Sequence, residues 1–126
     1  MSITPEILKK RTFDFALNAL KTIDVLKKTT ANEVMGRQLI RSSTSVGANY
    51  RAACKAKSTA DFINKLKIVE EESDESVYWL ELIKSHNKIE DTNYETLLKE
   101  SKELERIFSA SAITAKNNKV KQQMKS

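Results

Sequence analysis

Two glycines, one proline and one cysteine in 126 residues leave little material for tight turns and none for a disulfide framework. A sheet protein of this size needs turn chemistry at short intervals, so the scarcity points to an all-α chain. The lone thiol, Cys54, suits a reducing compartment, and its expected place is at the edge of the core as a small buried hydrophobe. Aromatic residues make up only 6% of the chain, so the core must be mostly aliphatic. The single histidine, His86, has no glutamate three residues before it, which excludes the carboxylate and Glu-x-x-His set of a di-iron bundle. Neither a phosphate-binding glycine loop nor a Ser/His/Asp set can be assembled. No apolar run reaches membrane-spanning length, and the opening MSITPEILKKR turns charged too early for a signal peptide. These absences predict a soluble, cytoplasmic protein that is not an enzyme and has no metal, cofactor or membrane partner.

What remains is helical periodicity. Thr4 before Pro5 reads as an N-cap followed by proline at the first helical position. Phe13, Ala16, Leu17, Leu20 and Ile23 then recur at three- and four-residue steps, widened by Leu8, Phe15, Ala19 and Leu26, which predicts a first helix over Pro5–Lys28. Asn32 is the expected cap of the second helix, which should end near Lys57, because Ser58 and Asp61 have the spacing of a capping box. Phe62, Leu66, Val69, Ser73, Val77 and Leu80 mark the main face of the third helix. Asp91 caps a fourth, carried by Tyr94, Leu97, Leu98, Leu104, Ile107, Phe108 and Ile113. Four helices with short links predict an up-down-up-down four-helix bundle over residues 1–115, followed by a basic, disordered tail over 116–126.

The central stretch, Arg37–Lys57, has two faces at 100° per residue. Met35, Leu39, Val46, Tyr50 and Ala53 face the core, while Arg37, Arg41, Arg51 and Lys55 form a basic stripe extended by Lys57. Ser42, Ser43, Ser45, Gly47, Ala48 and Ala52 lie between, where small side chains let a neighbouring backbone approach. Charge is polarised along the chain. Residues 1–57 hold eleven basic against four acidic side chains, residues 58–115 seven against thirteen, and the tail four lysines with no acid, for a net +5. The plain account is that oppositely charged helices pack side by side; the functional one is a nucleic-acid surface or a dock for an acidic partner.

On the third helix Ile68, Trp79 and Leu82 fall away from the main apolar face, near Glu72 and Glu75. An indole beside two aliphatics on an outer face predicts a subunit contact, against the alternative that Trp79 packs within its own chain. The run Glu70, Glu71, Glu72, Ser73, Asp74 and Glu75 points around its helix instead of converging, so it reads as a solvated face and not as a cation site.

The stretch from Arg37 to Ile83 resembles the family of proteins encoded in intervening sequences of the bacterial large-subunit (23S) ribosomal RNA gene. The residues that carry the resemblance are Gln38, Arg41, Ser42, Ser45, Val46 and Asn49, then Ser58, Asp61 and Phe62, then Ser73 and Glu75. Many members follow the asparagine with Ile-Ala-Glu-Gly, where this chain has Tyr50, Arg51, Ala52 and Ala53. The resemblance implies a small bundle that assembles into a ring, commonly a pentamer, with a poorly defined role in binding nucleic acid. It extends to the accessory bundle protein of diversity-generating retroelements and implies no enzyme. Two readings follow: a nucleic-acid binder that contacts phosphates through Arg37, Arg41, Arg51, Lys55 and Lys57, or an assembly protein that docks an acidic protein partner. Aromatic side chains on the basic face would favour the first, and Tyr50, on the core side, does not provide one.

Overall fold

A computed structural model of the chain describes residues 3–125, which form four helices and no strand: α1 (Pro5–Asp24), α2 (Thr30–Cys54), α3 (Thr59–Asn87) and α4 (Thr92–Lys125). The links hold five, four and four residues, too short for anything but reversal into an adjacent antiparallel helix. Each helix touches its two neighbours around the bundle, α1 with α2 and α4, and α3 with α2 and α4, while the diagonal pairs do not meet. This is the expected up-down-up-down bundle.

Side-chain oxygens set the helix starts. Thr4 accepts from the Ile7 amide at 3.2 Å, Thr29 from Asn32 at 3.1 Å, Ser58 from Asp61 at 3.0 Å and Asp91 from Asn93 at 3.0 Å. Asp61 accepts in turn from the Lys57 amide at 3.3 Å and from Lys65 at 2.5 Å, which holds its carboxyl below the usual range, the Lys65 bond being the larger cause. The end of α3 is closed by Lys88 in the left-handed region at φ 55, with the Ile89 amide donating to the Lys84 carbonyl at 3.1 Å.

The core is aliphatic with a few rings. Phe15, Leu39, Val46, Leu66, Val69, Leu80, Ile83, Leu104 and Phe108 are shut off from solvent, and Tyr50 lies against Phe108 with ring centroids 5.3 Å apart. Each such side chain contributes about 1.5–3 kcal/mol on burial. Small polar groups fill the close crossings: Ser76 donates to Ser42 at 3.0 Å between α3 and α2, and Asn32 and Asn87 exchange amide hydrogen bonds at 2.9 Å where α2 begins and α3 ends.

Several expectations are corrected. Helix α1 ends at Asp24 and α2 at Cys54, each a few residues early. Thr29 is the cap of α2, and Asn32 is one turn inside, engaged by Asn87. Cys54 is exposed. Phe13 and Leu17 face outward, and α1 buries Leu8, Thr12, Phe15 and Ala19 instead. Ile113 is exposed while Ala112 is buried. Helix α4 continues through the basic segment to Lys125; no proline or glycine interrupts it.

Candidate functional site

The basic stripe divides by the neighbours of α2. Arg41 leans toward α3, where Nη1 lies 3.0 Å from Glu72 Oε2 and Nη2 pairs with Glu75 Oε1. Trp79 Nε1 donates to the same Glu75 oxygen at 3.2 Å. The Arg41 hydrogen bond, helped by the indole, pulls the Glu75 carboxyl below its ordinary range, and Glu75 in turn raises the Arg41 guanidinium further above its own. Arg41 is therefore engaged within the chain. Arg37 lies 4.0 Å from Glu33, one turn back on its own helix. Arg51 and Lys55 lean toward α1 and make no ion pair among the described residues, and Lys57 lies exposed in the α2–α3 link.

Where Arg51 and Lys55 lean, α1 and α2 enclose an open groove of about 590 Å³. Its floor is Phe13, Ala16, Leu17 and Leu20 of α1 with Gly47 and Ala48 of α2, and its rim carries Lys9, Lys10, Arg51 and Lys55. Phe13 is 65% exposed, an unusual position for so large an apolar side chain. Gly47 brings the walls together: a β-carbon there would stand 3.0 Å from Thr12 Oγ1 and 3.2 Å from Thr12 Cβ. Thr12, wholly buried, meets this approach with its hydroxyl donating to the Leu8 carbonyl at 2.8 Å. The small-residue strip of α2 thus places α1 so that one apolar stripe enters the core and the second forms the groove floor.

The outer face of α3 is the counterpart in charge. Ile68, Tyr78 and Leu82 are exposed there, and Tyr78 stands edge-on to Trp79 with centroids 5.0 Å apart. Glu71, Asp74 and Glu81 are exposed beside them and have no ion-pair partner among the described residues. Trp79 itself is partly buried against the core of its own chain, so of the expected trio only Ile68 and Leu82 are open, and Tyr78, which the sequence reading passed over, is the more exposed ring.

Other cross-helix charges are paired. Arg11 bridges to Glu100 at 2.5 Å and Glu103 at 3.1 Å, joining α1 to α4, and Lys84 meets Glu95 at 2.5 Å between α3 and α4. A second depression, of about 700 Å³ between α1 and α4, is lined by charges of both signs and offers no converging set. No group of three or more His, Cys, Asp or Glu side chains among the described residues can hold a metal ion, and no described helix is long and apolar enough to cross a membrane.

No curated protein matches the sequence. Among solved structures, the chain is similar to a protein with unknown function from the S23 ribosomal protein family of Bacteroides thetaiotaomicron VPI-5482. The two share 34% identity over 87% of this chain and 98% of that one, with a TM-score of 0.77. The family model described as 23S rRNA-intervening sequence protein matches residues 6–110, a span that takes in nearly all of α1, the whole of α2 and α3, and the first half of α4. With the four-helix frame, the groove and the acidic face all inside that span, the chain belongs to the family of 23S rRNA-intervening sequence proteins.

Proposed function

We propose that the protein is a non-enzymatic assembly or adaptor bundle whose α1–α2 groove docks an acidic amphipathic helix of a protein partner. The observation that carries this reading is the combination in one groove of an aliphatic and aromatic floor with a rim of four cations, two of which, Arg51 and Lys55, have no ion pair among the described residues. A helix with apolar side chains at three- and four-residue steps and carboxylates alongside covers such a floor and meets such a rim. A phosphodiester backbone meets the cations but leaves the floor wet. The test is fluorescence anisotropy with a labelled synthetic helix of about twenty residues, leucine on one face and glutamate on the other. Binding weakened at least tenfold by Phe13→Glu, and likewise by Arg51→Glu with Lys55→Glu, supports the reading. No binding, or binding indifferent to both changes, overturns it.

A second reading, nucleic-acid binding, is favoured by the outward array of Arg37, Arg51, Lys55 and Lys57 and by the helical Lys116, Lys119, Lys121 and Lys125 beyond the bundle. Phe13 also supplies an exposed ring beside cations, the aromatic that stacking on single strands requires. Under it, a single-stranded RNA of about twenty nucleotides binds with a log–log salt slope near −0.7 per phosphate contacted. Replacing Arg37, Arg51, Lys55 and Lys57 by Gln then flattens the slope without changing the protein's size. That result, with no binding of the acidic helix, would put the nucleic-acid reading in place of the first.

A further inference from the structure

We infer that the α1–α2 groove accepts its partner in one direction: the occupant is an amphipathic helix whose carboxylates are gathered in its last two turns, with that C-terminal end set between Arg51 and Lys55 of α2 and Lys9 and Lys10 of α1. The inference rests on the docking reading above and names the kind of partner. It starts from the crossing of Gly47 on Thr12, which fixes the residues of the two antiparallel helices that stand level. Residues before Thr12 in α1 and after Gly47 in α2 lie on the same side of that crossing. All four rim cations do so: Lys9 and Lys10 stand three and two residues before Thr12, and Arg51 and Lys55 four and eight residues beyond Gly47. On the other side Phe13, Ala16, Leu17 and Leu20 continue along α1 and Thr44 along α2, and no charged side chain among the described residues lines the groove there. At a rise of about 1.5 Å per residue, Lys55 stands about 12 Å to one side of the crossing and Leu20 about 12 Å to the other, a length that takes a helix of about sixteen residues.

The groove thus has a cationic end and an apolar end. Lys9 and Lys10 are partly offset by Glu6 at 3.7 Å and Asp14 at 2.9 Å on their own helix, whereas Arg51 and Lys55 have no such neighbour among the described residues, so the positive field is strongest on the α2 side. Past Leu20 the next charges along the two strips, Asp24 of α1 and Arg37 with Glu33 of α2, are of both signs. A helix with carboxylates along its whole length would hold half of them over Leu17 and Leu20, where they lose water and gain no cation. A helix with its acids at one end matches both ends of the groove. Its direction follows from the backbone, because the C-terminal end of a helix carries about half a negative charge and the N-terminal end about half a positive one. Acids in the last turns weaken a free helix and are relieved beside these cations; acids in the first turns would bring the positive end of the dipole against them.

The test uses the full-length chain and three fluorescein-labelled peptides of about sixteen residues, acetylated and amidated, with one composition and one leucine face. Their glutamates lie in the last two turns, in the first two turns, or spread evenly. In anisotropy titrations the peptide with C-terminal acids should bind at least fivefold more tightly than the other two. Arg51→Gln with Lys55→Gln, both exposed positions, should bring the three affinities together, and circular dichroism checks that this variant stays helical. A nitroxide on Cys54, the only thiol of the chain and exposed at the cationic end, should broaden the proton signals of the last turns of the bound peptide more than those of its first. Equal affinities in the parent chain, tighter binding of either other peptide, or broadening strongest at the first turn would each overturn the inference. Equal affinities that Phe13→Glu abolishes leave the docking reading in place. Failure of all three peptides to bind, with a single-stranded RNA of about twenty nucleotides bound through Arg51 and Lys55, removes both.

Discussion

Gly47 is where the position of α1, and with it the groove, can be tested by a single atom. In Gly47→Ala the new methyl lies 3.0 Å from Thr12 Oγ1 and 3.2 Å from Thr12 Cβ. Thr12 has no room to rotate away, because it is fully buried and its hydroxyl is held by the Leu8 carbonyl at 2.8 Å and the Lys9 carbonyl at 3.1 Å. Alanine gains about 1 kcal/mol of helix propensity over glycine, and overpacking costs about 1–3 kcal/mol. The expected net loss is about 1 kcal/mol, which in a domain of this size lowers the melting temperature by about 4 °C. Gly47→Leu sets more atoms against the same wall and should lose about twice as much. Thr12→Ala removes the hydroxyl that stands 3.0 Å from the new methyl and keeps the Cβ at 3.2 Å, so in the double variant the penalty of Gly47→Ala should shrink, a coupling of up to about 1 kcal/mol. The assay is thermal and urea unfolding followed by circular dichroism at one protein concentration, since any assembly makes the midpoint concentration-dependent. If Gly47→Ala raises stability by the full propensity gain, or if the two changes are simply additive, the close crossing is not what requires glycine here.

Three further outcomes are expected. Glu75 has its carboxyl lowered chiefly by Arg41, so the stability from that pair is whole above the unfolded glutamate value near pH 4.3 and is lost as pH falls through the lower folded value; melts from pH 7 to pH 2 should show the parent losing stability more steeply than Arg41→Gln below about pH 4, and parallel curves would refute the assignment. Burial pushes the Tyr50 and Tyr94 hydroxyls above the ordinary tyrosine range, and the Tyr94 hydroxyl donates to the Leu80 carbonyl at 2.5 Å. Their contribution is complete below about pH 10 and declines as pH rises through the folded values, so absorbance at 295 nm should show these two tyrosines ionising together with unfolding; smooth ionisation in a folded protein would count against it. Lys88→Gly removes the side-chain penalty of the left-handed residue at φ 55 and should raise stability by up to about 1 kcal/mol in urea unfolding, with an unchanged midpoint showing that the cap is unstrained.

Architecture was legible because it depends on patterns that neighbours cannot overrule. Scarce glycine and proline, four periodic stretches and hydroxyl or carboxylate residues ahead of three of the helices led to the bundle, and Met35, Leu39, Val46, Tyr50 and Ala53 face its core as expected. The site was less legible because α1 carries two apolar stripes. Phe13, Ala16, Leu17 and Leu20 form one, and Leu8, Phe15 and Ala19 form the other, with similar spacing and size. Periodicity alone ranks the first above the second. The bundle buries the second because its stripe includes Thr12, small enough to lie against Gly47 once its hydroxyl is returned to its own backbone. That pairing joins residues far apart in sequence, and no local pattern announces it. The same holds for Asn32, which has the chemistry of a cap but is drawn inside by an amide partner at Asn87. A clue to the groove was nevertheless present: a helix with apolar residues on two sides has one more face than a single bundle can cover.

Charge carries the argument one step further. Packing of oppositely charged helices accounts for Arg11 with Glu100 and Glu103, Arg41 with Glu72 and Glu75, and Lys84 with Glu95, and each of these joins neighbouring helices of the bundle. It does not account for Arg51 and Lys55 on one face, or for Glu71, Asp74 and Glu81 on another. Exposed ion pairs add at most about 1 kcal/mol each, and side chains without partners add nothing to the stability of a single bundle. Clusters of one sign repel within themselves, so they weaken the isolated chain slightly where they stand. Both clusters border the exposed rings, and they have opposite sign. Other exposed charges, Lys67 and Lys102 among them, are equally without an ion pair among the described residues, so it is the neighbouring exposed ring, and not the lack of a partner, that sets these two clusters apart. A partner helix and an RNA would draw on the same Arg51 and Lys55, so the two readings of the groove compete for one pair of cations.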